Sequence, residues 1–121
     1  MARILLADDD AATRDLVRRA LESDGHAVQV TQDGGEALEC VKRTDTQKFD
    51  LLVSDVEMPL LDGVKLAERA ISLQPRLRVL LMSGFAEQLE RAKTLNGPQV
   101  AVISKPFTLD QVRVTVRKLL G

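Results

Sequence analysis

Asp50-Leu51-Leu52-Val53-Ser54-Asp55 is an aliphatic run that ends abruptly in a hydroxyl and a carboxylate. Leu-Leu-Val without polar alternation suits a strand covered on both faces, as in the interior of a parallel sheet. Four runs of similar character flank it: Arg3–Ala7, Ala27–Thr31, Leu77–Met82 and Val100–Ser104. The five runs begin 23–27 residues apart, about the length of one strand, one helix and two loops. The segments between them are dissimilar, so the spacing marks βα units rather than a solenoid.

Helical patterns fill the gaps. In Ala11–Asp24, Leu16, Val17, Ala20 and Leu21 share one face, and Gly25 stands where a left-handed C-cap belongs. Gly35–Arg43 carries Ala37, Leu38 and Val41 on one side. Asp62 is a good N-cap for a helix through Leu73, with Val64, Leu66, Ala67, Ala70 and Ile71 as its buried stripe. Thr108-Leu109-Asp110-Gln111 reads as a capping box, ahead of Val112, Val116 and Leu119 at sheet-facing spacing. Ala86–Leu95 is the weakest pattern; Asn96-Gly97-Pro98 ends it, and a short or mobile fourth helix is expected. Strict alternation of strand and helix implies an open, doubly wound α/β sheet. The chain reads as one domain over residues 1–121, with no room for an output domain.

Composition narrows the function classes. The 121 residues are 45% apolar and 29% charged, a globular balance, and the net charge of −1 argues against a nucleic-acid surface built on positive field. No apolar stretch approaches the roughly 18–20 residues that span a bilayer. Met1-Ala2-Arg3 leads straight into a short apolar run closed by three acids, unlike a signal peptide, so a cytoplasmic protein is expected. Cys40 is the single cysteine, which excludes an intramolecular disulfide, and it reads as a half-buried structural thiol. His26, the single histidine, follows Gly25 in a turn and reads as structural.

Ligands of an open α/β sheet bind beyond the carboxyl ends of its strands. Four strands place polar residues there: Asp8-Asp9-Asp10, Ser54-Asp55, Met82-Ser83-Gly84 and Ser104-Lys105-Pro106. Carboxylates converging from the first and third strands repel one another unless a cation joins them, and hard oxygen donors with open positions suit Mg2+. Lys105 adds a positive charge and Ser83 a hydroxyl. Together they can balance a phosphoryl group carried on one carboxylate, and Asp55, at the centre of the edge on a buried strand, is the best nucleophile. Asp10 reads as the start of the first helix, Asp50 as a strand flank and Asp33-Gly34-Gly35 as turn chemistry.

With these residues in place, the chain resembles the response-regulator receiver family over nearly its whole length. Ile4–Asp10 resembles the family's first-strand acidic motif, and Asp50–Pro59 with Asp62-Gly63 its phosphorylation-site motif. Ser83-Gly84 and Lys105-Pro106-Phe107 match its hydroxyl and Lys-Pro-Phe positions. The resemblance implies a CheY-like, flavodoxin-like (βα)5 fold with strand order 2-1-3-4-5 and a cis Lys105–Pro106 bond. It implies that Asp55 accepts phosphate from a phosphohistidine of a sensor histidine kinase or phosphotransfer protein. Mg2+ would be held by Asp9, Asp55 and the backbone carbonyl of Glu57, with Asp8 acting through water, while Ser83 and Lys105 bind phosphoryl oxygens. The chain would then be a regulator and not an enzyme, beyond catalysing its own phosphorylation and dephosphorylation. Helix one is the implied docking site for the kinase, and helix four, strand five and helix five the implied output face.

A narrower resemblance runs through Met1–Ala7, Met82–Ala86 and Val102–Phe107 to the CpdR-like stand-alone receivers, whose implied output partner is the ClpXP protease. Two departures from the family pattern stand out. Val102 occupies the place where many receivers carry a switching aromatic residue. Phe85, two residues after the hydroxyl, is bulky and is expected to shield an acyl phosphate from water. The rival reading is a small phosphatase of the haloacid-dehalogenase type, with Asp8-x-Asp10 as nucleophile pair and Ser83 and Lys105 in support. It places Thr13 one residue too late and lacks a late acidic pair after Lys105.

Overall fold

The computed structural model describes residues 1–43, 48–95 and 97–121. Strands and helices alternate: β1 (Arg3–Ala7), α1 (Ala11–Ser23), β2 (Ala27–Thr31), α2 (Gly34–Lys42), β3 (Leu51–Asp55), α3 (Gly63–Leu73), β4 (Arg78–Ser83), α4 (Ala86–Ala92), β5 (Val100–Ser104) and α5 (Leu109–Leu120). The strands form one parallel sheet in the order β2-β1-β3-β4-β5, the doubly wound arrangement expected. Leu5 lies opposite Leu52, and Asp55 opposite Met82, so strands one, three and four end nearly level.

All strands but β2 divide their apolar residues between two cores. On one face Leu5, Ala7, Leu52, Val79 and Leu81 pack with α2 and α3. On the other, Ile4, Leu6, Leu51, Val53, Leu80 and Met82 pack with Val17 and Leu21 of α1 and Val112, Val116 and Leu119 of α5. Continuous aliphatic runs are therefore right for β1, β3 and β4, which need apolar groups on both sides. Edge strand β2 departs from the expectation: Ala27, Gln29 and Val30 are exposed, with no strand beyond them.

The helix signals act locally as their chemistry requires. Asp10, Asp33 and Asp62 accept hydrogen bonds from the backbone N–H groups of Thr13, Glu36 and Lys65 and so cap α1, α2 and α3. Thr108 and Gln111 form the reciprocal capping box of α5. Gly25, with φ +90, closes α1 in the conformation that favours glycine. Leu16 departs from the expected buried face and is 52% exposed, because the strip of α1 covered by the sheet is narrower and takes Val17, Ala20 and Leu21. The fourth helix is short, as expected, spanning seven residues with Ala92 alone buried and no side-chain cap. Asn96, assigned to its terminating turn, lies outside the described residues. His26 accepts the Ala2 N–H at Nδ1, and buried Cys40 takes a hydrogen bond from Gln29, so both are structural.

Candidate functional site

β1 and β3 are adjacent, and their ends deliver Asp8 and Asp55 into one recess at the carboxyl edge. Asp8 is fully buried, Asp55 is 4% exposed, and Asp9 beside them faces solvent. One oxygen from each of the three can lie within 4.8 Å of the others. Backbone bonds hold this edge in place: Asp8 N–H donates to Thr31 C=O, Val56 N–H to Met82 C=O, and Lys105 N–H to Ser83 C=O. Arg14 of α1 reaches over to donate to the Asp8 carbonyl at 2.9 Å.

Two oxygens in the recess lack an aligned donor. Asp8 Oδ1 accepts from Asp10 N–H, but Asp8 Oδ2 is buried without a hydrogen bond. Lys105 Nζ lies 3.0 Å from Asp55 Oδ1 as an ion pair, yet out of line for a hydrogen bond, so that oxygen also has no aligned donor. Burial lifts the Asp8 carboxyl to about 6, opposed by the Asp10 N–H and reinforced by the Asp55 charge. Burial likewise raises Asp55, against the pull of the Lys105 ammonium and with help from Glu57 and Asp9. For Lys105 burial works downward, but the charges of Asp55, Asp8 and Glu57 prevail and hold its ammonium above the ordinary value. A recess of hard oxygen donors with unmet hydrogen-bonding capacity fits a divalent cation such as Mg2+.

The β3–α3 loop is held by close approach. A Cβ on Gly63 would stand 2.2 Å from the Asp55 carbonyl oxygen, and one on Gly34 would stand 2.2 Å from the Leu61 carbonyl oxygen. Gly63 is therefore required by the site and is more than a first-turn residue. Between them the chain turns tightly at Leu60: Leu61 N–H donates to Pro59 C=O at 2.8 Å, and Leu60 has φ 70 with its side chain 97% exposed. A left-handed leucine stores roughly 1–2 kcal/mol of strain, here inside the loop that joins Asp55 to α3. Lys105–Pro106 is cis, as the resemblance implies.

The structure thus brings together Asp8, Asp9, Asp55 and Lys105. Ser83, fully buried at the end of β4, joins them through Glu57: its hydroxyl donates to Glu57 Oε2 at 2.6 Å and accepts from Phe85 N–H at 3.1 Å. The family resemblance implies a role for the Glu57 backbone carbonyl only, and nothing in a 26-residue separation signals the side-chain contact. Phe85 is 63% exposed, so its ring does not cover the recess in this conformation. Asp10 faces α1, with both its Thr13 contacts made on one carboxylate oxygen. Asp10 thus acts as the cap expected of it, which lends the dehalogenase-type reading no support.

Known proteins agree with this geometry. The model of the response regulator receiver domain matches residues 4–117. CpdR, a response regulator receiver protein of Brucella abortus, is 36% identical over 99% of this chain and 98% of its own length. The response regulator MprA of Mycobacterium leprae is 37% identical over 98% of this chain, which spans about half (50%) of that protein. The response regulator TrrA of Thermotoga maritima, solved in complex with Mg2+-BeF, superposes with a TM-score of 0.84 at 25% identity, covering 99% of this chain and 100% of that one. Within two-component systems such domains are regulatory modules. On these grounds the chain belongs to the response regulator receiver domain family.

Proposed function

We propose that Asp55 is the phosphoacceptor of this receiver, and the observation carrying this reading is the convergence of Asp8, with its unpartnered buried oxygen, and Asp9 on an Asp55 carboxylate that faces the Lys105 ammonium at 3.0 Å. A carboxylate oxygen of Asp55 attacks the phosphorus of a phosphohistidine; the N–P bond breaks, and its electron pair stays with the imidazole of the donor protein. Lys105 binds one phosphoryl oxygen in place of its ion pair with Asp55, and Ser83 donates its hydroxyl to another. Asp8, Asp9, Asp55 and the Glu57 carbonyl would hold Mg2+, which neutralises negative charge on the phosphoryl group. Exposed Leu16 supports docking of a histidine kinase or phosphotransfer protein along α1, because it opens a groove of about 370 Å3 with Thr13, Val17, Pro106 and Phe107, next to Lys105.

The near-complete mutual coverage with CpdR favours a CpdR-like receiver role for residues 1–121, exercised in the cytoplasm. No helix among the described residues is long and apolar enough to cross a membrane. The same likeness makes a ClpXP-type protease the output partner in this reading. Incubation with Mg2+ and acetyl phosphate tests the chemistry. The wild type should gain one acid-stable, base-labile phosphate by intact mass, and Asp55→Asn none; an adduct that survives Asp55→Asn overturns the assignment.

A further inference from the structure

Ser83 is placed to serve a phosphoryl group, but in this structure its hydroxyl is already committed. A serine carries one hydroxyl proton. Two acceptors stand within reach of that proton, Glu57 Oε2 at 2.6 Å and the Phe85 carbonyl at 3.4 Å. The much shorter contact to the carboxylate is the stronger, while the oxygen's acceptor side takes the Phe85 N–H. An O–H···O bond to an ionised carboxylate at this length is charge-assisted and about twice as strong as a neutral one. Ser83 itself exposes no surface. Glu57 also faces the recess electrostatically: its charge raises the carboxyl of Asp55 and the ammonium of Lys105.

Building on the phosphoacceptor reading, we propose that Glu57 is a positioning residue that withholds Ser83 in the resting state. The Glu57 carboxylate accepts the Ser83 hydroxyl hydrogen bond, and Ser83 can donate to the phosphoryl group only after that bond is released. Arrival of the phosphoryl group supplies the release, because its oxygens compete for the same proton and its negative charge repels the Glu57 carboxylate. Glu57 thereby lowers the rate of phosphorylation through Ser83, a role separate from metal binding by its backbone carbonyl, which every substitution at position 57 retains.

A double-mutant cycle tests this with acetyl phosphate, Mg2+ and intact mass followed in time. Glu57→Ala in the otherwise wild-type chain should speed phosphorylation about fivefold or more, since it frees a charge-assisted bond. In the Ser83→Ala background the same substitution should change the rate less than about twofold, because no hydroxyl remains to be withheld. Glu57→Gln, which keeps an acceptor and removes the charge, should fall between wild type and Glu57→Ala. Equal acceleration in both backgrounds would mean simple charge repulsion and overturn the proposal, as would no acceleration in either. A wild-type chain that takes no phosphate would overturn the phosphoacceptor reading and this inference with it, whereas a phosphorylated wild type with additive effects overturns the inference alone.

Discussion

Leu6 and Asp8 stand two residues apart where β1 ends, and neither exposes any surface. Leu6 is surrounded by the aliphatic core of α1 and α5, where burial is favourable for every atom it hides. Asp8 hides a carboxylate oxygen with no donor, and burial holds its carboxyl near 6. The interior of the sheet is therefore chemically complete, whereas its carboxyl edge is left with a demand for positive charge and donors. A cation and a phosphoryl group can meet that demand, and the stability forgone at the edge is what makes their binding favourable. The interior should consequently respond to substitution alike under all conditions, and the edge should respond according to pH and Mg2+.

Leu80, fully buried on the interior strand β4, gives the largest expected effect. Leu80→Ala should lose about 2–5 kcal/mol in urea denaturation, with the same loss at pH 5 and pH 7.5 and with or without Mg2+. A loss that depended on Mg2+ would mean that core and edge are not separable.

Asp8→Asn should act in the opposite direction. An unfolded aspartate titrates near 3.8 and folded Asp8 near 6, so between those values the folded chain holds more protons. Stability must then fall as pH rises through that window, and the destabilisation is complete above about 6. The asparagine, which cannot ionise, should recover up to about 3 kcal/mol at pH 7.5 and well under 1 kcal/mol at pH 4. Millimolar Mg2+ should stabilise the wild type at pH 7.5 and narrow the gap. Equal stability of the two chains at pH 7.5 without a divalent cation would remove the electrostatic account of the edge.

The same division explains what could be read before folding. β1, β3 and β4 were legible because unbroken aliphatic runs have few other uses, and Asp8, Asp9, Asp55, Ser83 and Lys105 because each follows such a run directly. Periodicity says which side of a helix is apolar but not how wide a strip the sheet covers, so Leu16 read as core and lies at a groove. Valine and alanine content made β2 look interior, though its position at the edge of the sheet exposes it. Contacts joining distant segments left no trace: Gly63 against the Asp55 carbonyl, Glu57 against Ser83, and Arg91 against Asp62 across 29 residues. Each depends on how two loops meet once the strands are ordered, and local propensity carries no term for that.

The Arg91 bridge supplies the smallest and most local test, because it sets α4 against α5. The capping box and three buried residues fix α5 by its own sequence and its packing. α4 has neither a side-chain cap nor more than one buried residue, and a helix of seven residues is unstable alone. Its evident anchor is the Arg91 guanidinium, which donates to both oxygens of Asp62 at 2.8 and 2.7 Å, on the residue that caps α3 at the end of the phosphorylation-site loop. Thr108→Ala should lower global stability by about 1 kcal/mol through the lost cap. Arg91→Ala, cutting a half-exposed pair, should lower it by less than about 1 kcal/mol. Hydrogen exchange should separate them further, with α4 amides approaching loop rates in Arg91→Ala while α5 stays protected. Unchanged protection in α4 would mean that packing on β4 and β5 suffices to hold it. Faster exchange confined to α4 would instead make the bridge the physical link between the Asp55 loop and the helix most easily moved by it.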